Sequence, residues 1–390
     1  MLESVRHQSG AQRHLQRALS ARRVPHAYLF HGPEGVGREA LARAFAQILL
    51  CPAGSPRRVT EADAADLGLP EVFAACGRCA ECRLVESDTH PDLHVVHRFL
   101  NRFHEEARVR DLKAAQIGVD VIRRFFIDEV GRRPVRGRAK VFILRDAHRL
   151  NPQAENALLK TLEEPPPDTF IILITSSVEE LLSTTRSRSQ AVAFSALPTD
   201  FIFAELRRRL GDLPEPRAAW YAGHSGGSLG RALELIEENA FDLSTSFIAG
   251  WAKMPENFAD LEPARWQKAI EGLSALYRRR DPELSETESQ RIGLRLLLSL
   301  SAGVFGEALR VGSGASDSGT ASLLTGGSPS DAARRIAERL DAEDVCAVID
   351  RFRRAETAID RNTNIPLAIE AMLYDVAALM RGESPVEVLS

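Results

Sequence analysis

The chain has 390 residues, 44% of them hydrophobic and 27% charged, with a formal net charge of −4 at pH 7. This length exceeds one ordinary core, so we expect two or three domains in a globular protein. No apolar run approaches the roughly 20 residues that cross a bilayer, and the N-terminal segment lacks the apolar stretch of a secretory signal. We therefore expect a cytoplasmic protein without a membrane partner.

The first half of the sequence alternates short apolar runs with helical patterns, which is typical of βαβ units around a parallel sheet. Helical spacing covers Arg38–Leu50, and Asn151 followed by Pro152 predicts the N-cap and first residue of another helix. This half is therefore predicted to be an α/β domain. Its predicted strands are Ala27–Phe30, Leu93–Val96, Val141–Leu144 and Phe170–Ile174.

The second half of the sequence has only helical patterns after about Leu197. The Gly/Ser-rich stretch 312–330 predicts a flexible loop between helices. The predicted helices are Phe203–Leu210, Ala218–Ala222, Leu229–Glu238, Trp266–Arg278, Ile292–Leu309, Asp331–Leu340, Glu343–Asp360 and Pro366–Leu379.

A degenerate phosphate loop follows the first predicted strand. The frame G-x-x-x-x-G runs from Gly32 to Gly37, with Gly35 between them, at a strand-to-helix junction where backbone N–H groups can wrap a phosphate. A working loop continues with Lys and then Ser or Thr, whereas this chain has Arg38 and Glu39. Arginine keeps the charge of lysine but not its shape, and Glu39 places a carboxylate where an anionic phosphate would sit.

The strand that should complete such a site is altered as well. Asp146, just after Val141–Leu144, is placed to hold a metal ion, but Ala147 stands where an AAA+ ATPase has the Glu that activates water. We interpret the loop and this strand as a nucleotide site that keeps the fold and has lost hydrolysis. A glycine turn in a fold without nucleotide is the alternative, and the loop could still hold a nucleotide or phosphate without cleaving it. The candidate binding residues are Gly32, Gly35, Gly37, Arg38 and Asp146.

Four cysteines predict a metal site. Cys76, Cys79 and Cys82 form a C-x-x-C-x-x-C motif, and Cys51 ends the helix after the phosphate loop. Four thiolates satisfy the tetrahedral coordination of Zn²⁺ and leave no open position for catalysis. We therefore expect a structural zinc ion that ties an inserted segment to the first domain. An iron–sulfur cluster and free thiols are the alternatives. Cys346, alone in a helical stretch, is predicted to be a small buried residue.

Charged residues give no clear indication of nucleic-acid binding. Basic residues cluster between Arg123 and Lys140, which fits nucleic acid, an acidic partner or simply a solvated helix and loop. Beside the cysteines, Glu81, Glu86 and Asp88 disfavour a nucleic-acid contact through the zinc module.

Over about residues 5–235 the chain resembles the clamp-loader family of bacterial DNA polymerase III, and within it the delta-prime subunits. A weaker match near the C-terminus is Asn362-Thr-Asn-Ile-Pro-Leu-Ala-Ile-Glu. The motifs that carry the resemblance are His26-Ala-Tyr-Leu-Phe-His-Gly-Pro, the four cysteines, His90-Pro91-Asp92 and Asn156-Ala-Leu-Leu-Lys-Thr-Leu-Glu-Glu-Pro-Pro.

The resemblance implies an AAA+, P-loop NTPase-like α/β domain at 1–196 with an inserted zinc module at about 51–82. A helical lid would follow at 197–240, and then an all-α collar at 241–390, with the loop 312–330, would assemble with other loader subunits. Two features depart from the family pattern. The gap between Cys51 and Cys76 is longer than usual, and Arg231 falls one place after the second sensor Arg of ATPase relatives.

The resemblance also implies a role in DNA replication. The chain would not hydrolyse ATP by itself but would brace a hetero-oligomeric loader that opens the sliding clamp and places it on primed DNA. The family's Ser-Arg-Cys motif appears here as Ser187-Arg188-Ser189, with Ser in place of Cys, so Arg188 would be an arginine finger in an adjacent subunit's ATP site. Two alternatives stay open: an active ATPase subunit of the gamma/tau type, with Arg38 replacing Lys, and a zinc-dependent DNA-binding module.

Overall fold

The structure, a computed structural model, describes residues 5–52, 67–69, 72–112, 114, 116–136, 138–252, 263–313, 331–361 and 363–381. The chain forms two compact units, and the boundary along the sequence lies between Pro198 and Thr199. Nearly all of the predicted loop 312–330 lies outside the described residues, as do Asn362 and most of the gap between Cys51 and Cys76.

The first unit is built on a five-stranded parallel sheet with the order β2-β3-β4-β1-β5. In its register, Tyr28 pairs with Ile172 on one side and with Gln190 on the other. The four predicted strands are confirmed. The sequence pattern does not predict β5, because Val192 is its one buried residue and no apolar run forms. The strands are β1 (Ala27–His31), β2 (Leu93–Val96), β3 (Lys140–Leu144), β4 (Thr169–Thr175) and β5 (Gln190–Ala193).

Helices cover this sheet, and all of β3 is buried, which explains its unbroken apolar run. Asn151 caps the helix after β3 as predicted, its side chain accepting a hydrogen bond from Ala154 N at 2.8 Å. Short 3₁₀ turns cover Arg98–Phe103 and Ala147–Arg149. The helices are α1 (Ser9–Ser20), α2 (Arg38–Leu50), α3 (Ala80–Glu86), α4 (Ala107–Arg110), α5 (Val119–Ile122, continued by a π-helical turn Arg123–Ile127 and by Asp128–Val130), α6 (Pro152–Glu163) and α7 (Ser183–Ser187).

The described part of the second unit is entirely helical, as the sequence predicts. Its core contains an aromatic cluster in which Trp251 contacts Trp266, Phe305 and Phe352 with ring centroids 5.6–6.1 Å apart. The indole N–H of Trp251 donates to the hydroxyl of Ser301 at 3.2 Å. The helices are α8 (Thr199–Arg209), α9 (Glu215–His224), α10 (Leu229–Glu237), α11 (Ala240–Ala252), α12 (Pro263–Arg280), α13 (Glu286–Gly312), α14 (Asp331–Arg339), α15 (Ala342–Asp360) and α16 (Ile365–Met380).

The longest helix, α13, is the central element of this unit. It starts with a capping box in which the side chain of Ser285 accepts from Glu288 N and the Glu288 carboxylate accepts from Ser285 N. By length and composition α13 could also cross a membrane, with a mean hydropathy of 1.5. However, 56% of that segment is buried within the unit, as in the core helix of a globular domain.

One prediction about the second unit is wrong. Cys346 is exposed on α15 rather than buried. The core-facing side of this helix is occupied by the larger neighbours Val345 and Val348, so the helical phase turns the thiol outward.

Candidate functional site

The phosphate loop lies between β1 and α2, at the edge of the sheet where parallel strands end. Its three glycines have positive φ angles of 134° at Gly32, 69° at Gly35 and 101° at Gly37. A Cβ on Gly32 would lie 2.3 Å from the carbonyl oxygen of Phe194, so the segment after β5 also requires a glycine here. No side chain caps the first N–H groups of α2, which is the arrangement that binds an anion at a helix N-terminus.

Arg38, the residue that replaces the loop's Lys, is 8% exposed. Burial lowers the pKa of its guanidinium, while the nearby Glu34 and Asp146 carboxylates act in the opposite direction. Its Nη1 has no hydrogen-bond partner within the described residues. The two carboxylates therefore partly balance the positive charge that a phosphate would otherwise meet in this loop.

Glu39, which replaces the loop's Ser or Thr, is engaged by two arginines. Its carboxylate lies 3.0 Å from Arg43 Nε and 3.1 Å from Arg145 Nε. Arg43 in turn contacts Asp88, with Nη1 and Oδ1 2.6 Å apart. This chain of ion pairs joins α2 to the end of β3 and to the segment after α3, at the position where a hydroxyl would hold Mg²⁺. Ala147 is fully buried and offers no carboxylate.

The N-terminal helix holds the loop from a second side. The side chain of Gln8 donates to Val36 O at 3.3 Å and to Ser195 O at 2.7 Å, and accepts from Ser195 N. Two helical turns further on and on the same face, Gln16 exchanges two hydrogen bonds with the backbone of Phe73. The sequence analysis missed these residues, and the available signal was the i, i+4, i+8 spacing of buried Gln8, Gln12 and Gln16.

The four predicted metal ligands come together. Their sulfur atoms all lie within 4.8 Å of one another, with Cys51 to Cys79 at 3.9 Å and Cys76 to Cys82 at 3.8 Å. These separations are too long for a disulfide, which needs about 2.05 Å. They match the edge of about 3.8 Å expected for a sulfur tetrahedron around an ion with ~2.3 Å bonds. The four cysteines could therefore hold a tetrahedral metal ion.

Local backbone geometry builds this cysteine cluster. Cys51 is the C-cap of α2, and Cys79 caps α3 by accepting from Cys82 N. Hydrogen bonds from the backbone N–H groups of Arg78 and Cys79 lower the pKa of Cys76 to about 6, whereas burial raises the pKa of Cys82. A bound cation would favour the thiolate form of both groups.

The His90-Pro91-Asp92 motif joins the cysteine module to the sheet. His90 Nε2 lies 3.0 Å from the carboxylate of Glu81 in α3. The buried Asp92 carboxylate accepts hydrogen bonds from Val135 N at 2.6 Å and Arg136 N at 2.9 Å. This motif therefore fixes the loop that precedes β3.

Several basic side chains of the 123–140 stretch pair with groups of the same unit. Arg136 pairs with Glu81 at 3.1 Å, and Arg124 pairs with Glu105 at 3.0 Å. The buried Lys140 donates to the carbonyl oxygens of Glu129 and Arg132. These contacts favour the structural interpretation of this stretch over a dedicated nucleic-acid surface.

Arg188 lies at the C-cap of the short helix α7, and its side chain is 32% exposed. Nε donates to Glu163 Oε1 at 2.6 Å, and Nη2 contacts the same oxygen. Nη1 donates to the Thr184 carbonyl at 3.0 Å and lies 3.4 Å from the Ser187 hydroxyl. The guanidinium is thus held at the surface of the first unit.

The family model described as "DNA polymerase III, delta subunit" matches residues 7–198, which is the whole sheet-containing unit. The sheet-containing unit of the chain belongs to this family. Its relatives include "DNA polymerase III subunit delta'" of Pseudomonas aeruginosa, 33% identical over 59% of this chain and 61% of that protein. "DNA polymerase III subunit delta'" of Escherichia coli is 30% identical over 56% of each chain. The chain therefore spans about three-fifths of the length of these delta-prime relatives.

A tau subunit has a sequence identity to this chain similar to that of the delta-prime relatives. "DNA polymerase III subunit tau" of Escherichia coli is 32% identical over 57% of this chain and 30% of that protein. Among solved structures, a gamma subunit-related protein of Thermotoga maritima aligns over 95% of this chain and 99% of its own, with 16% identity and a TM-score of 0.43.

The second unit of the chain holds Arg231 in a network of ion pairs and hydrogen bonds. Its Nη1 lies 3.0 Å from Glu234 and 2.9 Å from the fully buried Glu238. Tyr277 also donates to Glu238, at 3.0 Å. The guanidinium of Arg231 is thus paired with two carboxylates of its own unit.

Proposed function

We propose that this chain is a delta-prime-type subunit of a bacterial DNA polymerase III clamp loader, acting in the cytoplasm during DNA replication. It would brace a hetero-oligomer with other loader subunits and act on the sliding clamp and primed DNA through that complex. Membership of the delta subunit family over residues 7–198 supports the class of subunit. The long second unit would serve as lid and collar.

The ion pairs that Glu39 forms with Arg43 and Arg145 are the main observation in support of a subunit that does not hydrolyse ATP. ATP hydrolysis needs a hydroxyl and a carboxylate around Mg²⁺, a phosphate-binding Lys and a group that positions water. In this chain Arg38 and Glu39 replace the loop side chains, Ala147 replaces the Glu, and Glu39 pairs with Arg145 at the end of β3. The subunit would therefore keep the fold of a nucleotide site without its chemistry.

Arg188 would act in trans. An arginine finger offsets negative charge that builds on the transferred phosphoryl group. Arg188 is partly exposed at the end of a short helix and is held by groups of its own unit. This placement suits a side chain that completes the ATP site of a neighbouring subunit.

The metal of the cysteine cluster would be structural zinc. Four sulfurs at tetrahedral spacing and no open coordination position favour Zn²⁺ in a closed site. Cys51, at the end of α2, would tie the module at about 51–82 to the helix of the phosphate loop. Iron–sulfur binding is the alternative for the same ligands.

The test is reconstitution of the loader with its other subunits and measurement of clamp- and DNA-stimulated ATPase activity. We expect Arg188→Ala to leave assembly intact and to lower kcat by about tenfold or more. Arg186→Ala, which removes an exposed arginine from the same helix, is the matched control and should leave kcat unchanged. An unchanged rate for Arg188→Ala in an assembled loader would remove Arg188 from the mechanism.

The similarity to tau subunits favours a second candidate, an active ATPase in which Arg38 takes the role of Lys. An active ATPase subunit would hydrolyse ATP as an isolated chain, whereas a delta-prime-type subunit would not. Titration of the isolated chain with a fluorescent ATP analogue, followed by a phosphate-release assay, separates the two.

A further inference from the structure

Glu163, the last residue of α6, determines how Arg188 is presented at the surface. Both Nε and Nη2 of Arg188 contact the single oxygen Oε1 of Glu163. Nε and this Nη form one side of the planar guanidinium fork, so the carboxylate fixes the plane of the group as well as its position.

The contacts of Nη1 are longer than the contact of Nε with Glu163. An arginine has five N–H donors. Glu163 accepts a hydrogen bond from Nε and forms an ion pair with Nη2, while Nη1 donates to the Thr184 carbonyl at 3.0 Å. Nη1 also donates to the Ser187 hydroxyl in a long hydrogen bond of 3.4 Å, which a phosphate oxygen could replace. In a guanidinium, parallel N–H donors from the two Nη atoms match the spacing of two phosphate oxygens.

Helix α6 also fixes the other end of the segment that carries Arg188. The buried Glu155, two turns before Glu163, accepts a hydrogen bond from Leu182 N at 2.7 Å. Leu182 is the N-cap of α7, and Arg188 is its C-cap. One helix therefore anchors both ends of α7 through two carboxylates, one on the backbone and one on the guanidinium.

We propose that Glu163 is a positioning residue for Arg188, holding the side of its guanidinium so that the end of the fork meets a phosphate group on a neighbouring subunit. This inference rests on the proposed role of Arg188 in trans. The pair is half-exposed, with 32% of the Arg188 side chain and 47% of the Glu163 side chain accessible. Glu163 thus restricts the orientation of Arg188 and contributes little to stability, because exposed ion pairs are weak.

The experiment compares three variants in the reconstituted loader with ATP: Arg188→Ala, Glu163→Gln and the control Glu164→Gln. Glu164 is the adjacent carboxylate, also exposed, and its side chain makes no contact with Arg188 among the described residues. We expect Glu163→Gln to lower kcat by about three- to tenfold with little change in the KM for ATP, because misorientation of the finger weakens a contact made in the transition state. Glu164→Gln should leave both constants unchanged.

A double variant separates positioning from a purely structural role. If Glu163 acts through Arg188, adding Glu163→Gln to Arg188→Ala should lower the rate no further. A structural role would instead lower it in both backgrounds, which would overturn the proposal. Glu163→Asp keeps the negative charge, so its rate should recover at least half of the loss seen in Glu163→Gln. An equal loss of rate in both variants would contradict the positioning role.

The outcomes also distinguish this inference from the function on which it rests. An unchanged rate for Arg188→Ala would overturn the role of Arg188 itself, and Glu163 would then have nothing to position. A slow Arg188→Ala together with a normal Glu163→Gln would overturn the positioning role alone. Size-exclusion chromatography of each loader confirms that the rates refer to assembled complexes.

Discussion

Glu39 and Arg145 form an ion pair, with Oε2 and Nε 3.1 Å apart, that joins the helix of the phosphate loop to the end of β3. In a hydrolysing P-loop protein these two elements hold Mg²⁺ between a hydroxyl and a carboxylate. In this chain the same two elements are joined by a direct contact between a carboxylate and a guanidinium. Arg43 and Asp88 extend the same network to the segment after α3.

The first prediction concerns nucleotide binding. We expect the isolated chain to show no Mg²⁺-dependent ATP turnover, and Arg38→Lys with Glu39→Thr to bind Mg²⁺–ATP at least about tenfold more tightly than the parent chain. The double variant restores a phosphate-binding ammonium and a metal-binding hydroxyl, and it removes a repulsive carboxylate. Ala147 remains, so the variant should bind without turnover. Fluorescence titration with an ATP analogue measures the Kd.

A control for this prediction makes the same chemical changes elsewhere in the unit. Arg186→Lys with Glu179→Thr alters two exposed residues and should leave the Kd unchanged. Micromolar binding with turnover by the parent chain would instead favour the gamma/tau-like alternative.

The second prediction concerns the metal. The purified chain should contain one zinc ion, and Cys82→Ser should abolish its binding and lower the Tm by about 5 °C or more, because the folded module depends on the metal. Cys346→Ser is the matched control, since that cysteine is exposed and lies outside the cluster. Elemental analysis gives the stoichiometry. Full zinc content in Cys51→Ser would remove Cys51 from the ligand set.

A variant of another cysteine in the cluster, Cys76→Ser, tests the DNA-binding alternative. If the zinc module were a DNA-binding element, Cys76→Ser would abolish DNA binding by the chain while loader assembly survives. We expect assembly to fail or weaken together with the fold of the module, because Cys51 and Cys76 connect α2 to that module. Pull-down of the other loader subunits and a DNA mobility assay measure the two properties separately.

The parts of the fold that could be predicted have a strong local signal. Strands β3 and β4 are buried over nearly their whole length, and so they show as apolar runs. The cysteine set was recognisable because its spacing is a local property. By contrast, β5 has one buried residue, and α1 places buried glutamines where an apolar face would be expected. Neither element produces the hydrophobic pattern on which sequence reasoning depends.

The pairing of distant charges could not be predicted for a different reason. Contacts such as Glu39 with Arg145, or Glu163 with Arg188, join residues far apart in sequence. Composition shows that both signs of charge are present, but many alternative pairings have similar energies in water. The fold chooses among them by placing α2 beside β3 and α6 beside α7. The sequence therefore predicts the candidate residues, and the tertiary structure determines their partners.

The third prediction concerns Asp92, whose carboxylate accepts hydrogen bonds from Val135 N and Arg136 N. Asp92→Asn should lower the free energy of unfolding by about 2–3 kcal/mol, because the amide nitrogen that replaces one carboxylate oxygen cannot accept its hydrogen bond and is itself left in a buried position without an acceptor. Urea denaturation measures the change. Hydrogen exchange at residues 135 and 136 should accelerate. Asp88→Asn, which alters an exposed ion pair with Arg43, should cost no more than about 1 kcal/mol.

The fourth prediction separates architecture from phosphate binding at the first glycine of the loop. Gly32→Ala should lower the free energy of unfolding by about 3 kcal/mol or more with no nucleotide present, because its Cβ would meet the Phe194 carbonyl at 2.3 Å and its φ of 134° is strained for alanine. Gly10→Ala is the control, since a Cβ there meets nothing within 4 Å. It should be neutral or slightly stabilising, because alanine favours the helix. Equal stability of the two variants in urea would show that the segment after β5 can move away from the loop. A large difference would mean that Gly32 is required by the packing of β1 against β5, whether or not a phosphate ever binds.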